Sequence, residues 1–268
     1  MKILVIGGGN MGLTYAKSFL RSHITSEKDM MILEKSAEKA AQLSKLNIGS
    51  VFGHPKDCLQ MADLIILAVK PQDTASLFNT LRPFVEEQQV YLSIMAGVTI
   101  ETIRNGLNAS KVIRAMPNLP AQIGLGMTTY TASDEVTRIE LVMVQNLLNT
   151  TGKTIYLDKE QAIDATTAIS GSGPAYVFYF MDAMMSAAKE MGFSESEAEL
   201  LVSQTFRGAV ELYNKSNFSC QEWIDKVTSK GGTTEAAMAS YQKNLVHEDI
   251  IEGAKAALDR AIELGESD

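Results

Sequence analysis

The sequence contains few of the residues that build disulfide frameworks and metal sites. Its two cysteines, Cys58 and Cys220, are too few and too far apart for a disulfide framework or a zinc site, which is typical of a reducing compartment. Its three histidines, His23, His54 and His247, share no ligand spacing. We therefore expect neither metal catalysis nor a Ser-His-Asp triad.

Basic residues and long apolar runs are also scarce. The formal net charge is −8 at pH 7, whereas nucleic acids and anionic membranes are bound by basic surfaces. No uninterrupted apolar run reaches membrane-spanning length, and the N-terminus resembles a strand rather than a signal peptide. We expect a cytoplasmic protein with no nucleic-acid partner, no membrane partner and no signal peptide.

The sequence does have a glycine-rich turn at its start. An apolar run at residues 2–6 leads into Gly7, Gly9 and Gly12, in the spacing G-x-G-x-x-G. Such a run predicts a buried parallel strand. Gly7 would make the turn, Gly9 would let backbone N–H groups approach a diphosphate, and Gly12 would let the following helix pack closely. The pattern predicts a dinucleotide site with the pyrophosphate at the helix N-terminus.

The next apolar run ends in an acidic residue, Glu34, at the point where a dinucleotide fingerprint needs a partner for the ribose. A carboxylate there accepts hydrogen bonds from both ribose hydroxyls of NAD and repels a 2′-phosphate. Lys35 and Ser36 follow directly and would soften that repulsion. The sequence therefore predicts NADP(H) or NAD(H) as cofactor, with Glu34 favouring NADH.

Strand and helix patterns alternate through the first half of the chain. The strand patterns lie at residues 2–6, 30–34, 48–52, 63–69, 90–96 and 111–116, with helical patterns between most of them at residues 13–20, 37–46, 72–81 and 99–107. This alternation predicts an α/β fold with a doubly wound parallel sheet, a Rossmann domain. Strands at residues 124–132 and 154–157, around a helix at residues 135–149, would complete a first domain of residues 1–158.

Ligands of doubly wound sheets bind beyond the carboxyl ends of the strands. Residues 68–71, residues 96–97 and Asn118 lie at or just beyond the ends of predicted strands and are expected to line the nicotinamide half of the site. Lys70 is either a cofactor or substrate contact or a surface lysine. Asn118 stands between two prolines that stiffen its loop, and is either an oriented polar contact or a turn residue.

Strand patterns stop after residue 158, and helical periodicity continues to residue 264. We expect residues 159–268 to form an all-α domain. The helix predicted at residues 175–191 carries more apolar residues than one covered face explains. It is either the central helix of a monomeric bundle or a helix that packs against another subunit, most simply in a two-fold dimer.

One segment of this second domain carries glycines and hydroxyl residues in a pattern that favours anion binding. Gly231 and Gly232 allow unusual backbone angles, and Thr233 or Thr234 can cap the helix that follows. Free N–H groups, the helix dipole and nearby hydroxyls, including that of Ser229, would bind a small carboxylate. A structural cap would need only one such residue, so the cluster favours a binding role.

Five motifs together resemble the pyrroline-5-carboxylate reductase family, in the family's order and over almost the whole chain. They occupy residues 7–12 (GGGNMG), 68–71 (AVKP), 113–118 (IRAMPN), 170–176 (SGSGPAY) and 228–234 (TSKGGTT). The resemblance implies a dinucleotide-binding domain, a C-terminal helical dimerisation domain and homodimers that often assemble into larger rings. It also implies NAD(P)H-dependent reduction of 1-pyrroline-5-carboxylate, a cyclic imino acid, to L-proline.

The motifs and the resemblance together give the expected site residues. Those expected to bind the cofactor are Gly7, Gly9, Asn10, Met11, Gly12, Glu34, Lys35, Ser36, Ala68, Val69, Lys70, Pro71, Ala96, Gly97 and Asn118. Those expected to bind the substrate carboxylate, in one subunit or for its neighbour, are Ser229, Gly231, Gly232, Thr233 and Thr234. We expect catalytic roles for Thr234, whose hydroxyl would orient or protonate the ring nitrogen, and for Lys70.

Two positions depart from the family's usual pattern. Lys230 stands where the family usually has proline, and Glu34 where many relatives carry residues suited to NADPH. Lys230 would strengthen carboxylate binding, point to solvent or mark altered specificity. The alternative functions are a reductase of a related cyclic imine, a regulatory cofactor-binding protein without catalysis, and a β-hydroxyacid dehydrogenase. The dehydrogenase is disfavoured because Val177 occupies the position of that family's catalytic lysine.

Overall fold

The computed structural model describes residues 1–266. The strands are β1 (Ile3–Ile6), β2 (Met30–Leu33), β3 (Ser50–Phe52), β4 (Leu64–Leu67), β5 (Val90–Ser93), β6 (Lys111–Met116), β7 (Gly126–Ala132) and β8 (Gly152–Tyr156). The α-helices are α1 (Asn10–Arg21), α2 (Ala37–Ser44), α3 (Thr74–Leu81), α4 (Ile100–Leu107), α5 (Arg138–Asn149), α6 (Ala162–Thr166), α7 (Gly173–Glu190), α8 (Glu195–Asn214), α9 (Cys220–Val227), α10 (Thr233–Lys243) and α11 (Val246–Glu266).

The chain falls into two compact units. Among the described residues, the first contains residues 1–172 and 257–266, and the second contains residues 173–256. Helix α6 contacts β6 and β7, so its contacts assign it to the first unit. The predicted domain division after residue 158 follows the change in sequence pattern rather than these contacts, and stays a prediction.

The first unit is built on an eight-stranded sheet with the order β3-β2-β1-β4-β5-β6-β7-β8. The strands β1 to β6 run parallel in the Rossmann order. The predicted Rossmann fold is thus confirmed. Strand β7 pairs antiparallel with β6, and β8 runs parallel to β7. This reversal was not predicted from the sequence. It arises because the connection from β6 to β7, residues 117–125 with a 3₁₀ segment at Leu119–Ile123, is too short for a crossover helix.

The sheet separates two apolar cores. Every residue of β1, β2, β4 and β5 is buried, as expected for strands covered by helices on both faces. Successive residues of β1 alternate between the two faces. Leu4 lies in the core that contains Phe78 of α3, and Val5 lies in the core that contains Tyr15 and Phe19 of α1. These cores fix the carboxyl ends of the strands against the helices that follow them.

Five of the eleven α-helix starts in the described chain follow from local sequence. The helices α2 and α4 begin directly after Ser36 and Thr99, whose side chains accept a hydrogen bond from the first turn. The helices α5, α8 and α9 begin with capping boxes, in which a Ser or Thr pairs with a glutamate three residues later. A side chain of the protein therefore satisfies the N-terminus of each of these five helices.

A buried arginine ties α6 to the sheet. The Arg114 guanidinium of β6 donates to Glu160 Oε1 at 3.1 Å and to Asp164 Oδ1 at 2.7 Å. Glu160 Oε1 also accepts from the Ile100 N–H at 2.8 Å, at the start of α4. Charged hydrogen bonds of this kind are stronger than neutral ones. They hold α6, and the single π-helical turn Thr167–Gly171 that continues it, against the end of β6.

The second unit is all-α, as predicted, but it lacks a core of its own. Within residues 173–256, Ala198 and Val202 are the buried apolar residues. Large apolar side chains stay exposed on α7, where Phe178 is 58% and Tyr179 75% exposed, and α7 has no buried residue. The alternative of a central helix in a monomeric bundle is therefore wrong.

Within residues 1–266, no helix is long and apolar enough to cross a membrane.

Candidate functional site

A cleft of about 480 Å³ opens at the carboxyl end of the sheet in the first unit. Its lining includes residues that end β1 and β2 and residues that follow β3 and β4. The strand order reverses between β1 and β4, because the chain builds β2 and β3 on one side of β1 before it returns to the other. The cleft therefore lies where doubly wound sheets bind ligands.

The glycine loop lines this cleft, and each glycine has a separate geometric reason. Gly7 has φ +104°, and a Cβ there would lie 2.7 Å from the Ala68 carbonyl oxygen. A Cβ at Gly12 would collide with the Gly7 carbonyl oxygen. At Gly9, by contrast, a Cβ would meet no atom of the described chain within 4 Å. The space above Gly9 is open to a ligand.

Helix α1 starts at this open space without a side-chain cap. Its N-cap is Gly9, and no side chain of the described residues bonds the N-terminus there. The first N–H groups of a helix have no partner within the helix and carry the positive end of its dipole. The cradle at Gly9 and the uncapped N-terminus of α1 therefore fit a pyrophosphate.

Glu34 lies at the opposite side of the glycine loop, at the end of β2. Its side chain is 8% exposed, and its Oε2 accepts from the Gly8 N–H at 3.3 Å while its Oε1 accepts from the Ser36 N–H at 3.0 Å. An ionised carboxylate can accept about four hydrogen bonds. Glu34 lines the cleft, so its remaining acceptor capacity is available to ribose hydroxyls.

The predicted carboxylate-binding segment lies in the second unit, between α9 and α10. Gly231 has φ +72°, which favours glycine. The Gly232 N–H donates to the Ser229 carbonyl at 2.9 Å, and a Cβ at Gly232 would collide with the Ser229 hydroxyl. The N-cap of α10 is Gly232, without a side-chain cap. The prediction that Thr233 or Thr234 caps this helix is wrong, because both residues already belong to its first turn.

One carboxylate already binds this segment, and it comes from the chain itself. The Gly231 N–H donates to Glu235 Oε2 at 2.7 Å. Glu235 occupies the helix position that Glu197 and Glu222 hold in the capping boxes of α8 and α9. In α10, where the N-cap is glycine, the Glu235 carboxylate accepts from the N–H of Gly231, the residue before the cap. The segment therefore presents a backbone N–H, that of Gly231, which donates to a carboxylate oxygen.

The whole chain aligns with reductases of known family. It is 33% identical to pyrroline-5-carboxylate reductase 2 of Bacillus subtilis (strain 168), with 99% of this chain and 95% of that protein covered. It is also 33% identical to pyrroline-5-carboxylate reductase of Pseudomonas aeruginosa, with 99% and 97% covered. The chain belongs to the pyrroline-5-carboxylate reductase family. A family profile described as "Pyrroline-5-carboxylate reductase dimerisation" matches residues 160–264, and one described as "NADP oxidoreductase coenzyme F420-dependent" matches residues 2–97.

Solved structures of the family share this fold. The chain aligns with Plasmodium falciparum pyrroline carboxylate reductase, determined with NADP bound, at a TM-score of 0.89 and 27% identity, over 99% of this chain and 98% of the other. The corresponding reductase of Coxiella burnetii gives a TM-score of 0.89 and 29% identity over 98% of both chains. The protein is thus an NAD(P)-dependent oxidoreductase with a Rossmann domain and a helical dimerisation domain.

Part of the predicted cofactor set lies together in the cleft. Its lining contains Gly7, Gly9, Glu34, Lys35, Ala68, Val69 and Lys70. Asn10, Met11 and Gly12 form the first turn of α1 directly behind Gly9. Ser36 caps α2, and Pro71 begins a short turn after β4. The presence of Lys70 in the lining favours the contact over the surface alternative, although its cofactor and catalytic roles stay predictions.

Three predicted cofactor residues lie at the ends of β5 and β6, outside the lining of this cleft. Gly97 has φ +76°, and a Cβ there would lie 3.3 Å from Leu264 of α11. Ala96 precedes it. Both ends of the Asn118 amide are used within the protein, since Oδ1 accepts from Met127 at 2.8 Å and Nδ2 donates to Ser170 at 3.0 Å. Their contacts with the nicotinamide stay predictions.

Several residues that line the cleft were not predicted from the sequence: Lys39 of α2 and two further groups. Gly53, His54 and Pro55 follow β3, and the strand-end rule applied to β3 would have pointed to them. Other lining residues, among them Asp73 and Ser76, come from the start of α3 and the turn before it. No dinucleotide motif marks α3, so only the structure brings its residues to the cleft.

We predict that two glycine variants separate ligand space from helix packing. Gly9→Ala should leave the melting temperature unchanged, because the added Cβ meets open space, but weaken NADH binding by roughly ten-fold through lost contacts to the pyrophosphate. Gly12→Ala should lower the free energy of unfolding by about 1–3 kcal/mol, because its Cβ overpacks α1 against the glycine loop. Thermal unfolding and NADH titration measure both effects. Wild-type affinity in Gly9→Ala would contradict the proposed pyrophosphate position.

Proposed function

We propose that the protein reduces 1-pyrroline-5-carboxylate to L-proline with a reduced nicotinamide cofactor. The observation that carries this proposal is the alignment of 99% of the chain with pyrroline-5-carboxylate reductases at 33% identity. Two glycine-led, uncapped helix starts support it, one in the cofactor cleft and one in the segment before α10. The reaction needs one site for the cofactor pyrophosphate and one for the substrate carboxylate. The start of α1 is the candidate for the first and the segment before α10 for the second.

The first unit provides the cofactor site in this proposal. Backbone N–H groups at Gly9 and the first turn of α1 hold the pyrophosphate, and Glu34 holds the adenosine ribose. Ala68 to Pro71, with Ala96, Gly97 and Asn118, flank the nicotinamide. When bound, the reduced nicotinamide supplies the hydride. The protein's own contribution is to orient the two reactants and to exclude competing positions.

The segment before α10 holds the substrate carboxylate in this proposal. The N–H groups at the start of α10 and the hydroxyls of Ser229, Thr233 and Thr234 bind its oxygens, supported by the helix dipole. Glu235 releases the Gly231 N–H when the substrate arrives. This release costs little free energy, because the hydrogen bond is exposed and water can replace it. A charged hydrogen bond of this type stabilises a complex by roughly 1.5–3 kcal/mol. That discriminates against imines without an acid group.

Glu34 supports a preference for NADH over NADPH. Its carboxylate is held in the cleft by two backbone N–H groups, so it cannot turn away from a 2′-phosphate without losing both bonds. A carboxylate and a phosphate that lie close together repel each other. NADPH use then requires a cation close enough to compensate.

The first prediction of this proposal concerns turnover. Purified protein should oxidise NADH faster than NADPH when 1-pyrroline-5-carboxylate is present, and neither when it is absent. Absorbance at the nicotinamide band follows both reactions. Cofactor binding without turnover would contradict the reductase and favour a regulatory protein, and turnover only with another cyclic imine would favour the related-reductase alternative.

A second prediction concerns Thr234, the candidate for orienting or protonating the ring nitrogen. Thr234→Ala should lower kcat as well as raise KM for the imino acid, roughly ten-fold or more in kcat, because general acid and orientation effects act in the transition state. Ser240→Ala on the exposed part of α10 is the matched control and should change neither value. An unchanged kcat in Thr234→Ala would remove the catalytic role and leave a binding role.

We also propose a homodimer, and a larger ring built from dimers. The match of residues 160–264 to a dimerisation profile supports the dimer, as does the exposed apolar surface of α7. A second copy would cover this surface by two-fold symmetry. The profile and the exposed surface together favour an obligate interface rather than a transient contact.

We predict that the dimer depends on α7. Phe178→Asp should shift the mass measured by light scattering from a multiple of two chains towards one chain, because a charge would enter an apolar interface. Ile139→Asp in the first unit is the matched control, since Ile139 is 83% exposed yet lies outside the dimerisation profile. A monomeric wild type, or equal effects of both variants, would contradict the proposed interface.

A further inference from the structure

The wall of the cofactor cleft that faces the glycine loop contains an acidic residue with no assigned role. Asp73 lines the cleft at the start of α3. It occupies the N-cap position of α3, where an aspartate normally accepts a hydrogen bond from the first turn of its helix. Here its side chain makes no cap bond. Its Oδ1 instead accepts from Lys35 Nζ at 3.0 Å.

Lys35 reaches this aspartate from the other side of the cleft. It follows Glu34 at the end of β2, where the ribose of a dinucleotide is held. Its side chain is 83% exposed, so no packing fixes the ammonium group. The ion pair with Asp73 is the contact that holds it.

The ion pair between Lys35 and Asp73 changes how much positive charge is available near the adenosine ribose. Glu34 places one carboxylate there, buried and bonded to two N–H groups. The cation next to it in sequence, Lys35, is already paired with a second carboxylate, that of Asp73. A 2′-phosphate entering this site would meet the repulsion of Glu34 without the compensation that a free Lys35 would give.

We propose that Asp73 determines cofactor specificity by keeping Lys35 from a 2′-phosphate. The inference rests on the proposed function, since it assumes that the cleft binds a dinucleotide with its ribose at Glu34. It adds a residue of α3, outside the glycine fingerprint, to the determinants of NADH preference. Removal of the Asp73 charge frees Lys35 to pair with the phosphate, and leaves the contacts to NAD unchanged.

Binding of the oxidised cofactors tests this without any turnover. Isothermal titration calorimetry with NAD⁺ and with NADP⁺ would be run on the wild type, on Asp73→Asn and on Asp134→Asn. Asp134 is an exposed aspartate of the first unit outside the lining of the cleft, so the same change of charge there is the matched control. Asp73→Asn should strengthen NADP⁺ binding about three- to ten-fold and leave NAD⁺ binding unchanged, because one charge-assisted pair is gained. Asp134→Asn should change neither.

A Lys35→Met background shows whether the effect passes through the lysine. In that background Asp73→Asn should give little or no gain in NADP⁺ binding. An equal gain with and without Lys35, or equal changes for both nucleotides, would overturn the role assigned to Asp73. Melting temperatures should match the wild type, since the pair is exposed and Asp73 caps nothing.

Failure of this inference is distinguishable from failure of the proposed function. If both nucleotides bind and their ratio is the same in wild type and Asp73→Asn, the role of Asp73 is overturned and the cofactor site stands. If the wild type binds neither nucleotide, the cofactor site itself is overturned, and the inference with it.

Discussion

The structure depends on the close approach of α1 to the end of β1. Gly12 permits this approach, because any side chain there would strike the carbonyl of Gly7, and Gly7 turns the chain with a backbone angle that suits glycine. The result is a helix that begins at the lining of the cleft, with Gly9 as its N-cap and without a side-chain cap. Five other helices begin with a Ser or Thr whose side chain accepts from one of their first N–H groups. The helices α1 and α10 begin with glycine, which has no side chain to accept from these groups.

The second unit differs from the first because it has apolar surface that its own helices do not cover. Its helices expose residues such as Phe178 and Tyr179, while Ala198 and Val202 are its buried apolar residues. Exposed apolar surface of this kind favours association with another chain, which would couple folding to assembly. The carboxylate site proposed on this unit would then depend on assembly as well.

Much of the first unit could be predicted from sequence because its signals are local. Short apolar runs gave β1, β2, β4 and β5, and the glycine spacing with Glu34 gave one wall of the cleft. What sequence could not give depends on tertiary neighbours. The reversal of β7 follows from a short connection, and the wall around Asp73 follows from where α3 packs. The cap of α10 was misassigned because Gly232, rather than a threonine, holds the cap position.

The first unit is discontinuous along the chain, and this affects how it is made. Its strands and glycine loop come from residues 1–172, but it also includes residues 257–266. In this last part Ala261 is buried and Leu264 lies against Gly97. During synthesis the N-terminal part leaves the ribosome first and can begin to fold. The surroundings of Gly97 are completed only when α11 has been translated, so a nascent chain that already has its glycine loop still lacks the packing around Gly97.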